Sequence, residues 1–161
     1  MENKYNFSGM REENGFFSEG SSRIPEIDFN LHSGEFVLRG KSIPENAAKV
    51  YEPLLEVIAR YVKSPRAVTN FRLNLEYFNS ASLIWFAKIA RALSRAERED
   101  SVLFIHIYLD IEDYESMELD EIKDVVCSLV DNIGKAKVSV GIKIYGINDK
   151  NKVLKETTIL T

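Results

Sequence analysis

Hydrophobic and polar positions change period several times along the chain, and each change marks an element. Ile27 and Phe29, then Phe36 and Leu38, alternate with polar residues on either side of His32-Ser33-Gly34, the signature of a β-hairpin. Ser42-Ile43-Pro44-Glu45 has the spacing of a capping box with proline in the first turn. From there Ala47, Val50, Tyr51, Leu54, Val57, Ile58 and Tyr61 recur every three or four residues, which predicts a helix kinked or broken before Pro53. Phe71, Leu73, Leu75 and Tyr77 alternate with Arg72, Asn74 and Glu76, a strand covered on one side. At Asn79-Ser80-Ala81-Ser82 the period becomes helical. Leu83, Ile84, Phe86, Ala87, Ala90 and Leu93 then face inward and Lys88, Arg91, Arg95 and Arg98 outward, to about Glu99.

Val102 to Leu109 is almost wholly apolar and predicts a central strand buried on both faces. An acidic loop and an acidic amphipathic helix follow, with Met117, Ile122, Val125, Val126, Leu129 and Val130 at helical spacing. Val138, Val140, Ile142 and Ile144 alternate as a last strand. The order β-β-α-β-α-β-α-β predicts an α/β (α+β) fold, a mixed sheet of about five strands with an opening hairpin, parallel crossovers and helices packed on it. Residues 1–22 are polar and Gly/Ser-punctuated and read as a flexible arm, 23–147 as the domain, and 148–161 as a polar tail.

Composition narrows the function. The chain has 161 residues, room for one core, with 45% hydrophobic and 29% charged residues. A net charge of −4 provides no global field for nucleic acid or an anionic membrane. No apolar run approaches a membrane span, and the N-terminus lacks the apolar stretch of a signal peptide. Cys127 is the single cysteine, which precludes an internal disulfide and suits a reducing cytoplasm.

Candidate chemistry is sparse. His32 falls in a turn and His106 inside an apolar strand, where packing is the simpler role. Glu112, Asp113 and Glu115 lack the spacing and glycine of an EF-hand and read as solvated charge. Cys127, on or beside an apolar helix face, reads as a small hydrophobe. Neither a phosphate-binding glycine loop nor a Ser–His–Asp set is present, so no catalytic residue, metal or cofactor is expected. The sharpest feature is Ser80, placed where a strand gives way to a helix. Free N–H groups and the positive end of the helix dipole favour a phosphoryl group there, but simple N-capping, for which Asn and Ser are the preferred residues, explains the same sequence.

Two segments carry a family resemblance. Gly40-Lys41-Ser42-Ile43-Pro44-Glu45-Asn46-Ala47 resembles the G-x-S-x-P-E-N-(A/S) element of the SiaC-type regulatory phosphoproteins. Leu75-Glu76-Tyr77-Phe78-Asn79-Ser80-Ala81-Ser82 resembles their L-x-Y-x-N-(T/S)-S-S element. Ser80 stands where the family usually has Thr, and Ala81 where it has Ser. The likeness covers roughly residues 24–115. It implies a fold like that of anti-sigma-factor antagonists (STAS-like) and a non-enzymatic role, with Ser80 as phosphoacceptor. It also implies a protein kinase, a PP2C-type phosphatase and a diguanylate cyclase as partners. Partner contacts would come from Ser42, Pro44, Glu45, Asn46, Tyr77, Asn79 and Ser82. The competing expectation is a STAS-like small-molecule sensor, with an apolar pocket under the kinked helix and Ser80 as no more than a cap.

Overall fold

The computed structural model describes residues 10–11, 14–116 and 119–160. In chain order the elements are β1 (Met10–Arg11), β2 (Gly15–Ser18), β3 (Glu26–Asn30), β4 (Glu35–Ser42), α1 (Ala47–Tyr61), β5 (Val68–Phe78) and α2 (Ser80–Leu93). They continue with β6 (Val102–Asp110), α3 (Ile111–Ser116), α4 (Leu119–Ile133), β7 (Ser139–Ile147) and β8 (Val153–Leu160). The described strands form one eight-stranded sheet whose spatial order follows the sequence. β1 to β4 pair antiparallel, β4 to β7 parallel, and β8 returns antiparallel on β7.

The predicted fold class holds, with more strands than the sequence suggested. β2 lies in the segment read as an arm and pairs with β3 from Gly15↔Asn30 to Ser18↔Ile27. β8 lies in the segment read as a tail. Its turn carries a signal that was open to reading: the Asn148 side chain accepts the N–H groups of Lys150 and Lys152, and Asn151 adopts φ 61, the left-handed conformation that Asn tolerates.

In-register rows cross the sheet and fill the core. Phe36, Phe71, Ile105 and Ile142 form one row, and Leu38, Leu73, Ile107 and Ile144 the next. Tyr51, Leu54 and Ile58 of α1, Phe86, Ile89 and Leu93 of α2, and Leu129 of α4 pack in the same cluster. The α1 helix runs unbroken through Pro53. Both Pro53 and Lys49, whose carbonyl loses its intrahelical donor, are on the exposed side, where water can replace the bond. Its N-cap is Asn46, whose side chain accepts the Lys49 N–H at 3.2 Å, rather than Ser42, which ends β4. The α2 helix stops at Leu93, short of Glu99. Beyond it the backbone bonds tertiary partners, with Glu97 N–H donating to Val62 and Lys137 N–H to Ser94.

The expected burial of β6 on both faces is complete on the core side and partial on the other. Leu103, Ile105 and Ile107 join the helical core, while Phe104, His106 and Tyr108 lie on the opposite face in a polar and aromatic network. Glu35 accepts from Asn70 Nδ2 at 2.6 Å and from Arg72 Nε at 2.7 Å. Arg72 Nη1 donates to the Tyr108 hydroxyl at 2.7 Å, and the Tyr108 and Tyr145 rings stack at 4.7 Å. Polar partners thus satisfy the hydrogen-bonding groups on this face.

Candidate functional site

Parallel pairing decides where the two sequence segments meet. In the register of β4 and β5, Ser42 stands beside Phe78, so the turns that leave both strands lie at the same, carboxyl end of the sheet. This is the end where open α/β sheets place ligand-binding residues. The Ser42 carbonyl clamps the second turn directly, accepting the Asn79 N–H at 3.1 Å and the Ser82 hydroxyl at 2.9 Å.

A hydroxyl cluster sits beneath. Ser42 Oγ lies 2.7 Å from Ser82 Oγ and in hydrogen-bond contact with the Tyr51 hydroxyl. Because Ser82 donates to the Ser42 carbonyl, its oxygen is free to accept from Ser42 Oγ, which in turn accepts from Tyr51. All three residues are fully buried, and desolvation pushes the Tyr51 hydroxyl up to about 12. The cluster therefore stays neutral and ties β4, α1 and the first turn of α2 into one unit.

Ser80 occupies the first position of α2 and is exposed. Asn79 is the N-cap with extended backbone (φ −94, ψ 172), its side chain accepting the Ser82 N–H at 2.9 Å and its carbonyl the Leu83 N–H at 3.1 Å. That leaves the N–H groups of Ser80 and Ala81 without an acceptor among the described residues, as expected for the start of a helix. Capping and exposure are therefore compatible. Asn79 supplies the cap, and the Ser80 hydroxyl takes no part in it.

The other expected partner-binding residues divide by burial. Glu45, Asn46 and Tyr77 are exposed, Tyr77 at 59%, and Asn79 is half-buried. Ser42, Pro44 and Ser82 are buried, so they support the surface and are not part of it. Periodicity alone could not separate the two groups, since Ser42 and Ser82 are small polar residues beside turns. Sequence reasoning missed two contributors. Tyr51 was read only as core, and Ile84, assigned to the inner face, is 57% exposed four residues after Ser80.

The remaining candidates take structural places. His106 is bonded on both ring nitrogens, to Tyr145 at 2.8 Å and Asn70 at 2.7 Å. His32 is exposed. Cys127 is exposed, because Val126, Leu129 and Ile133 take the inward positions of α4. No group of acidic, His and Cys residues is arranged to hold a metal, and no helix is long and apolar enough to cross a membrane, among the described residues. The pocket a sensor would need under α1 is filled by Tyr51, Leu54 and Ile58, each fully buried. A cleft of about 370 Å³ opens at the other end of the sheet, lined by Asn14, Leu31, His32, Arg60, Tyr61 and Ser64.

Fold and site together give a mixed α/β sheet protein with an exposed serine at the start of a helix. The chain belongs to the SiaC family of regulatory phosphoproteins, whose model matches residues 18–131. Its structure is similar to apo-SiaC from Pseudomonas aeruginosa, with a TM-score of 0.55 and 16% identity over 78% of this chain and 96% of that one. It is also similar to a chain in the crystal structure of the diguanylate cyclase SiaD in complex with its activator SiaC from the same organism. There the TM-score is 0.59 and the identity 15%, over 78% of this chain and 97% of that one. At these identities the likeness is one of fold. No curated protein matches the sequence.

Proposed function

We propose that this chain is a cytoplasmic binding protein, not an enzyme, switched by phosphorylation of Ser80. A protein kinase adds the phosphate, a PP2C-type phosphatase removes it, and the unphosphorylated form binds and activates a diguanylate cyclase. The observation that carries this is the exposed Ser80 hydroxyl at the first position of α2, held over a buried cluster that fixes its turn. Tyr77, Glu45 and Asn46, exposed at the same end of the sheet, complete the patch that a partner would cover.

The phosphate acts through the surface. A phosphoserine carries about −1.5 to −2 charges at neutral pH, and at a helix N-terminus such a charge is worth roughly 0.3–1 kcal/mol of stabilisation. The same charge trapped without a cation inside a desolvated interface costs several kcal/mol, more than about a hundredfold in affinity. Phosphorylated protein, verified by mass spectrometry of the Ser80 peptide, is therefore expected to melt within about 5 °C of the unmodified form and to lose cyclase binding and activation. Ser80→Ala keeps both fold and activation. Equal cyclase affinity for the two forms, or a collapse of the melting temperature on phosphorylation, refutes the mechanism.

A further inference from the structure

The exposed side of α2 carries a row of cations with no acid on the helix to balance them. Ser80, Ile84, Lys88 and Arg91 are exposed at successive turns of the helix, and Arg95 in the turn beyond Leu93 continues the row. From Ser80 to Arg91 the row spans about 16 Å. It opens on an apolar residue, Ile84, 57% exposed, with the half-buried Trp85 at its side and the Lys88 ammonium 4.2 Å from the indole centroid. It then becomes purely cationic. The sequence of α2 contains no Asp or Glu, and neither Lys88, Arg91 nor Arg95 has an ion-pair partner among the described residues.

Such a row opposes stability. Like charges three and four residues apart on a helix repel, and the chain has acids to spare, with a net charge of −4. The other well-placed arginines show the alternative: Arg39 with Glu26, Arg72 with Glu35 and Arg98 with Asp100 all form ion pairs. The uncompensated row is explained by a partner that supplies the counter-charge.

We propose that the α2 row is the docking surface for an acidic amphipathic helix of a partner protein. An apolar side chain of that helix seats on Ile84 beside Trp85, and its carboxylates meet Lys88, Arg91 and Arg95. The direction of regulation rests on the reading of Ser80 as the switched residue. Ser80 stands at the apolar end of the row, about four residues before Ile84, so its phosphate adds negative charge where an acidic helix must pack closely. Phosphorylation and docking are then antagonistic by like-charge repulsion.

The test is a photo-crosslinker, p-benzoylphenylalanine, placed at Ile84 of the full chain expressed in its own cells, with the captured segment sequenced by mass spectrometry. The segment is expected to be helical in pattern and rich in Asp or Glu. Lys88→Glu/Arg91→Glu/Arg95→Glu is expected to weaken binding of that partner at least about tenfold, and Glu→Lys changes in the captured segment to restore it. Lys63→Glu/Lys135→Glu, exposed elsewhere, leaves binding intact, and the milder Lys88→Gln/Arg91→Gln/Arg95→Gln retains the effect if the reversal disturbs folding. Raising salt from about 0.05 to 0.3 M should weaken wild-type binding and barely affect the reversed variant. The absence of any Ile84 adduct, a captured segment without acidic residues, a captured second copy of this chain, or undiminished binding by the reversed variant overturns the proposal. Failure of the Ser80 reading has a different signature, in which charge reversal abolishes the complex while phosphorylation leaves its affinity unchanged.

Discussion

Protonating His106 should destabilise the domain, and the structure allows the effect to be sized. The residue is 5% exposed. Asn70 Nδ2 donates to Glu35, which turns the Asn70 oxygen toward His106 Nε2. Nε2 therefore carries the proton and Nδ1 accepts from the Tyr145 hydroxyl, leaving a neutral imidazole with both nitrogens satisfied. Desolvation first, then the charges of Arg72 on β5 and Lys143 on β7, lower its pKa from 6.5 to about 4. The depressed value means that the unfolded chain binds the proton more readily. Stability is complete above about pH 6.5 and falls as pH drops toward 4. At pH 4.5 those two values imply a loss of about 2.5 kcal/mol relative to pH 7.5, or about 5–10 °C in melting temperature. Carboxylates titrate in the same range, so the measurement is the difference between wild type and His106→Gln in urea unfolding at the two pH values. The variant should lack this component of the pH dependence, and NMR should find the wild-type imidazole still neutral at pH 5.5. Parallel pH dependence in the two proteins, or an imidazole titrating near 6.5, would refute the reasoning.

Two further outcomes follow from the site. Asn79→Ala removes the cap that accepts the Ser82 N–H and should cost about 1 kcal/mol, with faster amide exchange confined to residues 80–83, whereas uniform acceleration across the domain would contradict a local role. Tyr51→Phe deletes one hydroxyl while Ser42 and Ser82 remain bonded to each other, so denaturant unfolding should show a loss of only about 1 kcal/mol; a loss above about 3 kcal/mol would mean that the two serines do not satisfy one another.

Much of this protein was legible in the chain itself. Period-two alternation located the hairpin and the strands at 71–77 and 138–145, because a strand facing a helical layer on one side must alternate. Helical spacing located all three long helices for the corresponding reason. The Asn79-Ser80 junction was visible because a residue between a strand and a helix has few solutions to its backbone hydrogen bonds. The outlying strands were harder. β2 has only four residues and most of β8 is exposed on both faces, so their pairing with β3 and β7 leaves little alternating trace.

Tertiary structure alone decided which side chains of the motif face outward. Ser42 and Ser82 lie 40 residues apart and have the composition of surface turns, yet parallel pairing of β4 with β5 brings them to 2.7 Å and closes Tyr51 over them. The same pairing leaves Ser80 and Ile84 exposed and sets the row Lys88, Arg91 and Arg95 on the outer side of α2. Local periodicity records that a helix has an inner and an outer face. Which hydroxyls are buried by being bonded to one another depends on the distance between segments that only the assembled sheet defines.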